Sequence, residues 1–221
     1  MVSRQTAPVS PPEMSARLAE AAFELFAERG IDNAPLDAIA ARAGVTKGSL
    51  YWHYASKKEL LEAACLHYYR TWQRRIHAEV GRASDPLERL ERAIRFSVRS
   101  CLLDDRNRIF STEIFARSLH DADLRRGWAQ FYDTAREFFV GLLEAARAAG
   151  ALEAPDPRGL ADLMLHCFEG IKQRASFEPE ILSQEEAITR QLLGLLRGPE
   201  GRRPARPGTP PPRESAKGGR E

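Results

Sequence analysis

The fold is decided by residues 36–59, which read LDAIAARAGVTKGSLYWHYASKKE. Apolar residues recur there at helical spacing in two short runs, and Gly44 separates the runs. Thr46 stands where it can cap the second run, and Val45 and Leu50 can form a hydrophobic staple across its first turn. Two short helices joined by such a turn have the dimensions of a helix-turn-helix.

The second of these helices presents a basic and aromatic outer face. At about 100° per residue, Leu50 and Tyr54 fall together toward the core, whereas Gly48 and Trp52 fall opposite them. Residues 42–58 hold four basic residues and no acid, on a chain of net charge +2. A locally basic patch on a near-neutral body suits a site-directed DNA binder. The predicted DNA-contacting residues of this helix are Thr46, Lys47, Gly48, Ser49, Tyr51, Trp52 and His53.

Individual residues of this face suggest distinct roles. Lys47 can donate to guanine O6 and N7 or to phosphate, and Tyr51 can contact a thymine methyl or a base edge. Gly48 costs the helix about 1 kcal/mol relative to alanine, which a close approach of DNA would explain. The other residues of the face suit the phosphate and sugar contacts that set register. Aromatic residues are more often core, but a two-turn helix that buries its other face cannot also bury Trp52.

The next helix begins with two lysines. Ser56-Lys57-Lys58-Glu59 has the pattern of a capping box, and apolar spacing continues this helix for roughly five or six turns. The helix dipole disfavours cations at this end, whereas free amide groups beside lysines favour a bound anion. The alternative is that both lysines point into water at little cost. Next to the exposed face of the preceding helix, Lys57 and Lys58 are predicted to bind DNA phosphate.

Composition excludes several other classes of protein. The chain has 221 residues, 43% of them hydrophobic, which is enough for a substantial core. Its cysteines, Cys65, Cys101 and Cys167, are odd in number and form no C-x-x-C pair, which argues against a disulfide framework or a zinc site. No apolar run reaches the length of about 18 residues that a membrane helix needs, and residues 1–14 lack a signal-peptide core. A cytoplasmic protein without membrane contacts or a cofactor is predicted.

The remaining chain is predicted to be helical throughout, because no segment alternates polar and apolar residues over strand length. Ser15 can cap the first helix and Gly30 can end it. The pattern predicts an all-α protein of about nine helices. After the helix that starts near residue 57, five more are predicted at about 86–102, 106–118, 121–149, 157–175 and 183–197.

Several of these pieces together resemble the DNA-binding domain of the TetR family of bacterial transcription regulators. The matching pieces are AAFELF at 21–26, RG at 29–30, IA at 39–40, AGV at 43–45, KGSLYWHY at 47–54 and SKKELL at 56–61. The resemblance implies a homodimer whose C-terminal helices bind a small ligand. One departure concerns the threonine or serine that the family usually has before its second helix, often in contact with phosphate. This chain has Asn33-Ala34-Pro35-Leu36 there.

The resulting domain prediction has four parts. Residues 1–13 form a disordered arm, and residues 14–60 form a three-helix DNA-binding domain with its helix-turn-helix at about 36–55. Residues 61–197 form the ligand-binding and dimerisation domain, and 198–221 a disordered Pro/Gly/Arg-rich tail. The resemblance implies dimerisation through the helices at about 157–175 and 183–197. Their apolar faces comprise Leu160, Leu163, Met164, Cys167 and Ile171, and Ile188, Leu192, Leu195 and Leu196.

Aromatic residues of the C-terminal half become candidates for a ligand cavity, although core packing is their default role. The predicted pocket residues are Phe96, Phe110, Phe115, Trp128, Tyr132 and His166, with His120 and Cys167 as further polar candidates. A metal site built from Glu113, His120, Asp121 and Asp123 matches no standard ligand pattern. The two aspartates are better placed to cap the next helix, so no metal site is predicted.

These features predict a sequence-specific DNA-binding regulator, a dimeric repressor that a small ligand releases from a palindromic operator. Its two recognition helices would lie about 34 Å apart. The alternatives are an activator of the same family and a helical small-molecule-binding module without DNA function. The sequence contains no G-x-S-x-G, Walker loop, H-E-x-x-H or G-x-G-x-x-G motif, so an enzyme is not predicted.

Overall fold

The computed structural model describes residues 10–196, and within them the chain is helical and without strands, as predicted. The α-helices are α1 (Pro11–Arg29), α2 (Leu36–Arg42), α3 (Lys47–His53), α4 (Lys57–Val80), α5 (Pro86–Ser97), α6 (Asp105–Ser118), α7 (Ala122–Ala148), α8 (Pro157–Ala175) and α9 (Glu185–Leu196). A π-helical turn at Val98–Leu103 follows α5, and a 3₁₀ turn at Pro179–Ser183 precedes α9.

The first helix begins earlier than predicted. Its cap is Ser10, whose backbone N–H and hydroxyl both donate to Glu13, at 2.9 and 2.8 Å. Residues 11–13 were expected in a disordered arm, but the reciprocal Ser10–Glu13 pair starts the helix one turn before Ser15. The prediction of Ser15 as the cap is therefore wrong. The rest of the arm, 1–9, and the tail at 198–221 lie outside the described residues.

Helices α1 to α3 pack around one apolar core. Leu25 and Phe26 of α1, Ile39 of α2 and Leu50 of α3 are buried in it. Thr46 caps α3 as predicted, because its hydroxyl oxygen accepts from the Ser49 N–H at 3.2 Å. Leu50 thus packs α3 against this core, and the opposite face of α3 is turned outward.

The long helix α4 belongs to two cores. Its first half, up to Tyr68, packs with α1 to α3, and from Trp72 onward it packs with α5 and the C-terminal helices. The first core also takes in Phe110 of α6 and Trp128 of α7. A domain boundary at residue 60 would therefore cut through a continuous core, and α4 is the element that links the two halves.

The predicted helix at 86–102 changes its winding after Ser97. The π-helical turn at Val98–Leu103 inserts a wider turn there, of a kind that is frequent at functional sites. It buries Ser97 and Val98 and places the half-buried Cys101 beside Trp72 of α4. No periodicity signal distinguishes this turn from a regular helix, so the sequence could not predict it.

Gly30 is expected to tolerate no side chain. It ends α1 at φ +81°, and a Cβ there would lie 3.0 Å from Glu113 Oε1. With ψ at +153°, this positive-φ conformation costs other residues about 1–3 kcal/mol, so Gly30→Ala is expected to lower the free energy of unfolding by about that amount. Urea denaturation measures this change.

The matched control is Gly127→Ala within α7, where an added Cβ meets nothing within 4 Å. Glycine inside a helix is less stable than alanine by about 0.5–1 kcal/mol, so this variant is expected to gain stability. Equal unfolding midpoints for Gly30→Ala and wild type would contradict the argument.

Candidate nucleic-acid interface

The outer face of α3 carries two exposed aromatic side chains. Tyr51 is 47% exposed and Trp52 is 72% exposed, whereas the preceding residue, Leu50, is fully buried. Lys47 and Gly48 are exposed on the same helix, and Ser49 is half-buried. A tryptophan turned almost wholly to solvent is unusual unless it meets a partner. The predicted strip therefore exists as a surface, although its contact with DNA remains a prediction.

His53 does not join this strip as predicted. Its Nδ1 lies 3.0 Å from the Ser15 hydroxyl, and its half-buried ring packs edge-on against Trp52 at 4.7 Å between centroids. The neighbouring Tyr54 hydroxyl donates to the Ser15 carbonyl oxygen at 3.0 Å. Both side chains fasten the end of α3 to α1, so His53 is less available to a partner than the exposed residues of the strip, and its contact with DNA remains a prediction.

Lys47 pairs with an acidic residue of α2. Its Nζ lies 2.9 Å from Asp37 Oδ1, and both side chains are more than half exposed. The hydrogen bond that Lys47 donates to this carboxylate raises the pKa of Lys47, which keeps it charged. Exposed ion pairs are worth little, so Lys47 can exchange Asp37 for a phosphate or a base edge at small cost.

Arg42 belongs to the stretch of sequence without acids, but acidic residues lie close to it in the folded protein. Its guanidinium binds Glu28 through two hydrogen bonds of 2.6 and 2.7 Å, and Glu24 lies 3.5 Å away. Both acids come from α1, so the linear count overstated the charge of this surface. The local basic patch is therefore narrower than the sequence predicted.

The lysines at the start of α4 turn toward the body of the protein. Lys57 Nζ donates to the Asp32 carbonyl oxygen at 3.2 Å, and Lys58 Nζ lies 2.6 Å from Asp123 and 3.3 Å from Asp121. Lys58 thus pairs with acids of the chain itself, whereas the partner of Lys57 is a carbonyl oxygen, and the contact of both lysines with DNA phosphate remains a prediction. Asp121 also caps α7, accepting from the Asp123 and Leu124 N–H groups at 2.9 and 3.2 Å, as the sequence predicted.

Two further contacts tie the DNA-facing half to α6. Glu113 Oε2 accepts from the Ile31 N–H at 2.8 Å, and Arg117 pairs with Asp32 at 2.7 Å. Together with the Lys58 bridge they hold the α1–α2 turn and the start of α4 against α6 and α7. These contacts could not be predicted from the sequence, because Glu113 and Arg117 bind residues more than 80 positions away along the chain.

Comparison with known proteins covers both halves of the chain. The family described as "Bacterial regulatory proteins, tetR family" matches residues 18–64, and the one described as "BetI-type transcriptional repressor, C-terminal" matches residues 86–196. The chain belongs to the TetR family. The recognised resemblance is confirmed, and the first match contains all of the DNA-contacting residues proposed for α3 and α4.

Individual TetR relatives match shorter segments. The regulator TtgR of Pseudomonas putida is 34% identical over 43% of this chain and 46% of its own length. The repressor BepR of Brucella suis is 29% identical over 60% of this chain and 65% of its own. The chain thus spans less than two thirds of these curated relatives.

A solved regulator from Saccharomonospora viridis, in complex with choline, shares the fold. Its TM-score is 0.73 at 20% identity, over 83% of this chain and 95% of that one.

The TetR C-terminal half contains two adjoining cavities. An open groove of about 370 Å³ lies between α4 and α7, and its walls include Cys65, Tyr69, Trp72 and Phe131. A smaller inner cavity of about 40 Å³ adjoins it and shares Trp72 and Phe131 with the groove. Small-molecule sites in helical proteins occupy such spaces between helices.

The predicted pocket residues separate into two groups. Trp128 and Tyr132 line the inner cavity, and their contact with a ligand remains a prediction. The other four do not line either cavity. Phe110 packs in the first core, Phe96 lies under Arg75, and Phe115 and His166 are exposed, as is the further candidate His120. Helical spacing placed these side chains on helices correctly but could not assign the face that each helix buries.

The predicted dimer faces of α8 and α9 are narrower than expected. Met164, Ile188, Leu192 and Leu196 are buried in the core of a single subunit. The apolar side chains left exposed include Leu163 at 42% and Leu195 at 46%, one on each helix. These two remain available to a partner. Among residues 10–196 there is no group of metal-binding side chains and no helix long and apolar enough to cross a membrane.

Proposed function

We propose that this TetR protein is a dimeric transcription repressor that binds a palindromic operator and releases it when a small organic ligand binds. The observation that carries the proposal is the exposed face of α3, with Lys47, Tyr51 and Trp52 held outward by a buried Leu50. In this proposal residues 14–60 read DNA, and residues 61–197 bind ligand and dimerise. The repressor name of BepR supports the same reading.

Ligand control has a plausible route through α4 and α7. Lys58, at the DNA-facing end of α4, is held by Asp123, and Asp123 also lines the groove between these helices. A ligand that moves α7 relative to α4 would therefore alter this bridge. It can shift the equilibrium only by its differential affinity for the two arrangements. The choline complex of the related fold illustrates that this architecture holds small molecules.

A second candidate is a ligand-binding protein without DNA function. Its supporting observation is that acids of this chain pair with Arg42, Lys47 and Lys58, three of the four basic residues in the patch. Selection from a random-sequence DNA library separates the candidates. A repressor is expected to enrich an inverted repeat with half-sites about 10 base pairs apart, centre to centre. Failure to enrich any sequence would favour the second candidate.

Replacing Asp37 provides a sharper test of the α3 surface. Asp37→Asn removes the carboxylate that holds Lys47 and one negative charge near the DNA. We expect operator affinity to rise by about threefold to tenfold at low salt, because surface charge effects are modest and screened. Fluorescence anisotropy at two salt concentrations measures this.

The control is Asp37→Asn in a Lys47→Ala background, where the gain is expected to shrink. An equal gain in both backgrounds would show that Asp37 acts by long-range repulsion and not through Lys47.

A further inference from the structure

A buried lysine marks the inner cavity. Lys172 of α8 is 3% exposed, and its Nζ lies 2.6 Å from Glu169 Oε1 and 5.5 Å from the centre of the Trp128 ring. Burial of an ion pair in apolar surroundings is seldom stabilising compared with hydrophobic packing. The pair therefore calls for an explanation beyond stability.

The two members of this pair differ in their access to solvent. The Lys172 side chain is 4% exposed, whereas that of Glu169 is 28% exposed. The carboxylate can swing into water without unpacking the core, but the ammonium cannot. Lys172 is thus the fixed anchor of the site, and Glu169 is the replaceable partner.

Further hydrogen-bond donors surround this anchor. Trp72 Nε1 and the Ser97 hydroxyl are buried and have no hydrogen-bond partner within the described residues, and both side chains line the inner space or its wall. The Cys101 thiol beside Trp72 is only a weak acceptor, and burial raises its pKa to about 12, so it stays neutral. Tyr132 adds a hydroxyl beside Glu169, and burial raises its pKa as well. An indole N–H can only donate, so the buried Trp72 N–H needs an acceptor that its neighbours among the described residues do not supply.

We propose that the Lys172 site, formed by Lys172, Tyr132, Trp72 and Ser97, binds the carboxylate of an amphipathic organic acid whose apolar body lies in the groove between α4 and α7. This inference rests on the proposed ligand control and names the chemical class of its ligand. The ligand carboxylate takes the place of Glu169 on Lys172, and Glu169 turns to solvent.

The sizes of the two spaces fit this division. The inner cavity of about 40 Å³ has room for a head group only when the wall moves, whereas the groove of about 370 Å³ falls in the range of small-molecule sites. Trp72 and Phe131 line both spaces, so a ligand that occupies both would have to pass these two rings. Gly127 lines the groove, and a Cβ there would meet no atom within 4 Å.

An organic cation is the opposite choice, because the aromatic rings and Glu169 could also hold an ammonium group. Such a ligand would have to share the site with the ammonium of Lys172, whose side chain is 4% exposed. It would also leave the Trp72 N–H facing a positive charge. The donor set therefore favours an anion.

Thermal-shift measurements on the full-length protein, with ligands matched in chain length, test whether the site prefers an anion or a cation. Straight-chain carboxylates from hexanoate to decanoate are compared with the primary amines and alcohols of equal length. We expect the carboxylates to raise the melting temperature and to bind about tenfold or more tightly than the matched alcohols. Carboxylates no better than alcohols, or amines better than both, would overturn the proposal.

Two variants identify the anchor. Lys172→Met keeps the length of the side chain and is expected to remove the preference for carboxylates. Glu169→Gln weakens the internal competitor, so carboxylate affinity is expected to rise by about threefold or more while amine affinity falls. Should Lys172→Met fail to fold, the opposite responses to Glu169→Gln still decide, because a merely structural role would move both ligand series together.

Gly127→Leu tests where the apolar body lies. It is expected to weaken decanoate more than hexanoate, and equal effects would place the body outside the groove. DNA binding without ligand is measured separately on the selected operator. Loss of DNA binding with an intact carboxylate response would refute the repressor function alone, whereas the reverse result would refute the ligand class alone.

Discussion

Leu163→Glu is expected to turn the protein into a monomer and to reduce operator affinity by about 10²-fold to 10⁴-fold. Leu163 is 42% exposed on α8, beside the helix that carries the equally exposed Leu195. At a two-fold seam the same patch meets itself, so each new glutamate would approach its own copy and lose solvent. A dimer gains affinity because binding one half-site raises the effective concentration at the other. Analytical ultracentrifugation and fluorescence anisotropy measure the two effects.

Ile109→Glu is the matched control. Ile109 is 40% exposed and belongs to α6, so the substitution introduces the same charge at a similar exposure on a helix other than α8 and α9. This variant is expected to remain dimeric and to bind the operator as the wild type does. A dimeric Leu163→Glu protein with unchanged affinity would place the interface elsewhere on the surface.

The course of the helices could be predicted because their signals are local. Caps such as Thr46 and Asp121 act within one turn, and the structure shows both in place. The start of α1 also depends on a local signal, but that signal was misread. Pro11 and Pro12 suggested disorder, but proline is tolerated in the first turn of a helix, and Ser10 with Glu13 completes the cap.

The outward face of α3 was also predictable, since a buried Leu50 fixes which residues of a two-turn helix can reach solvent. The ion pairs could not be predicted from the sequence. Lys58 meets acids 63 and 65 positions further along the chain, and Arg42 meets acids of α1. Charge counted along a sequence does not reveal the charges that folding brings beside it.

The Lys172 site shows a second limit of sequence reasoning. Along α8 the lysine looks like an ordinary basic residue near a helix C-terminus, where positive charge is favourable. Its burial depends on how α8 packs against α4 and α7, and the π-helical turn that brings Ser97 inward has no sequence signal. Aromatic residues were therefore better indicators of the cavity than any polar one, and of the six predicted pocket residues Trp128 and Tyr132 line it.

Lys47→Ala and Tyr51→Ala are each expected to weaken operator binding by about 1–3 kcal/mol, or roughly 10-fold to 100-fold. The two losses should differ in kind. A lysine that binds phosphate supports all sequences alike, and its removal lowers the salt dependence of log K by about one unit per subunit. A tyrosine that contacts a base edge or a thymine methyl carries specificity, so its removal should leave the salt dependence unchanged and narrow the gap between operator and random DNA.

Phe177→Ala provides the matched control for aromatic truncation, because Phe177 is 71% exposed but lies beyond α8, far along the chain from α3. It is expected to bind DNA as the wild type does, whereas Trp52→Ala, at 72% exposure, should lose affinity.

If Lys47→Ala instead alters sequence preference with little change in salt dependence, Lys47 reads a base. Asp37 would then affect the sequence specificity of binding rather than the general affinity for DNA, because it holds the same ammonium group in the absence of DNA. Wild-type binding by both Lys47→Ala and Tyr51→Ala would exclude α3 as the reading helix.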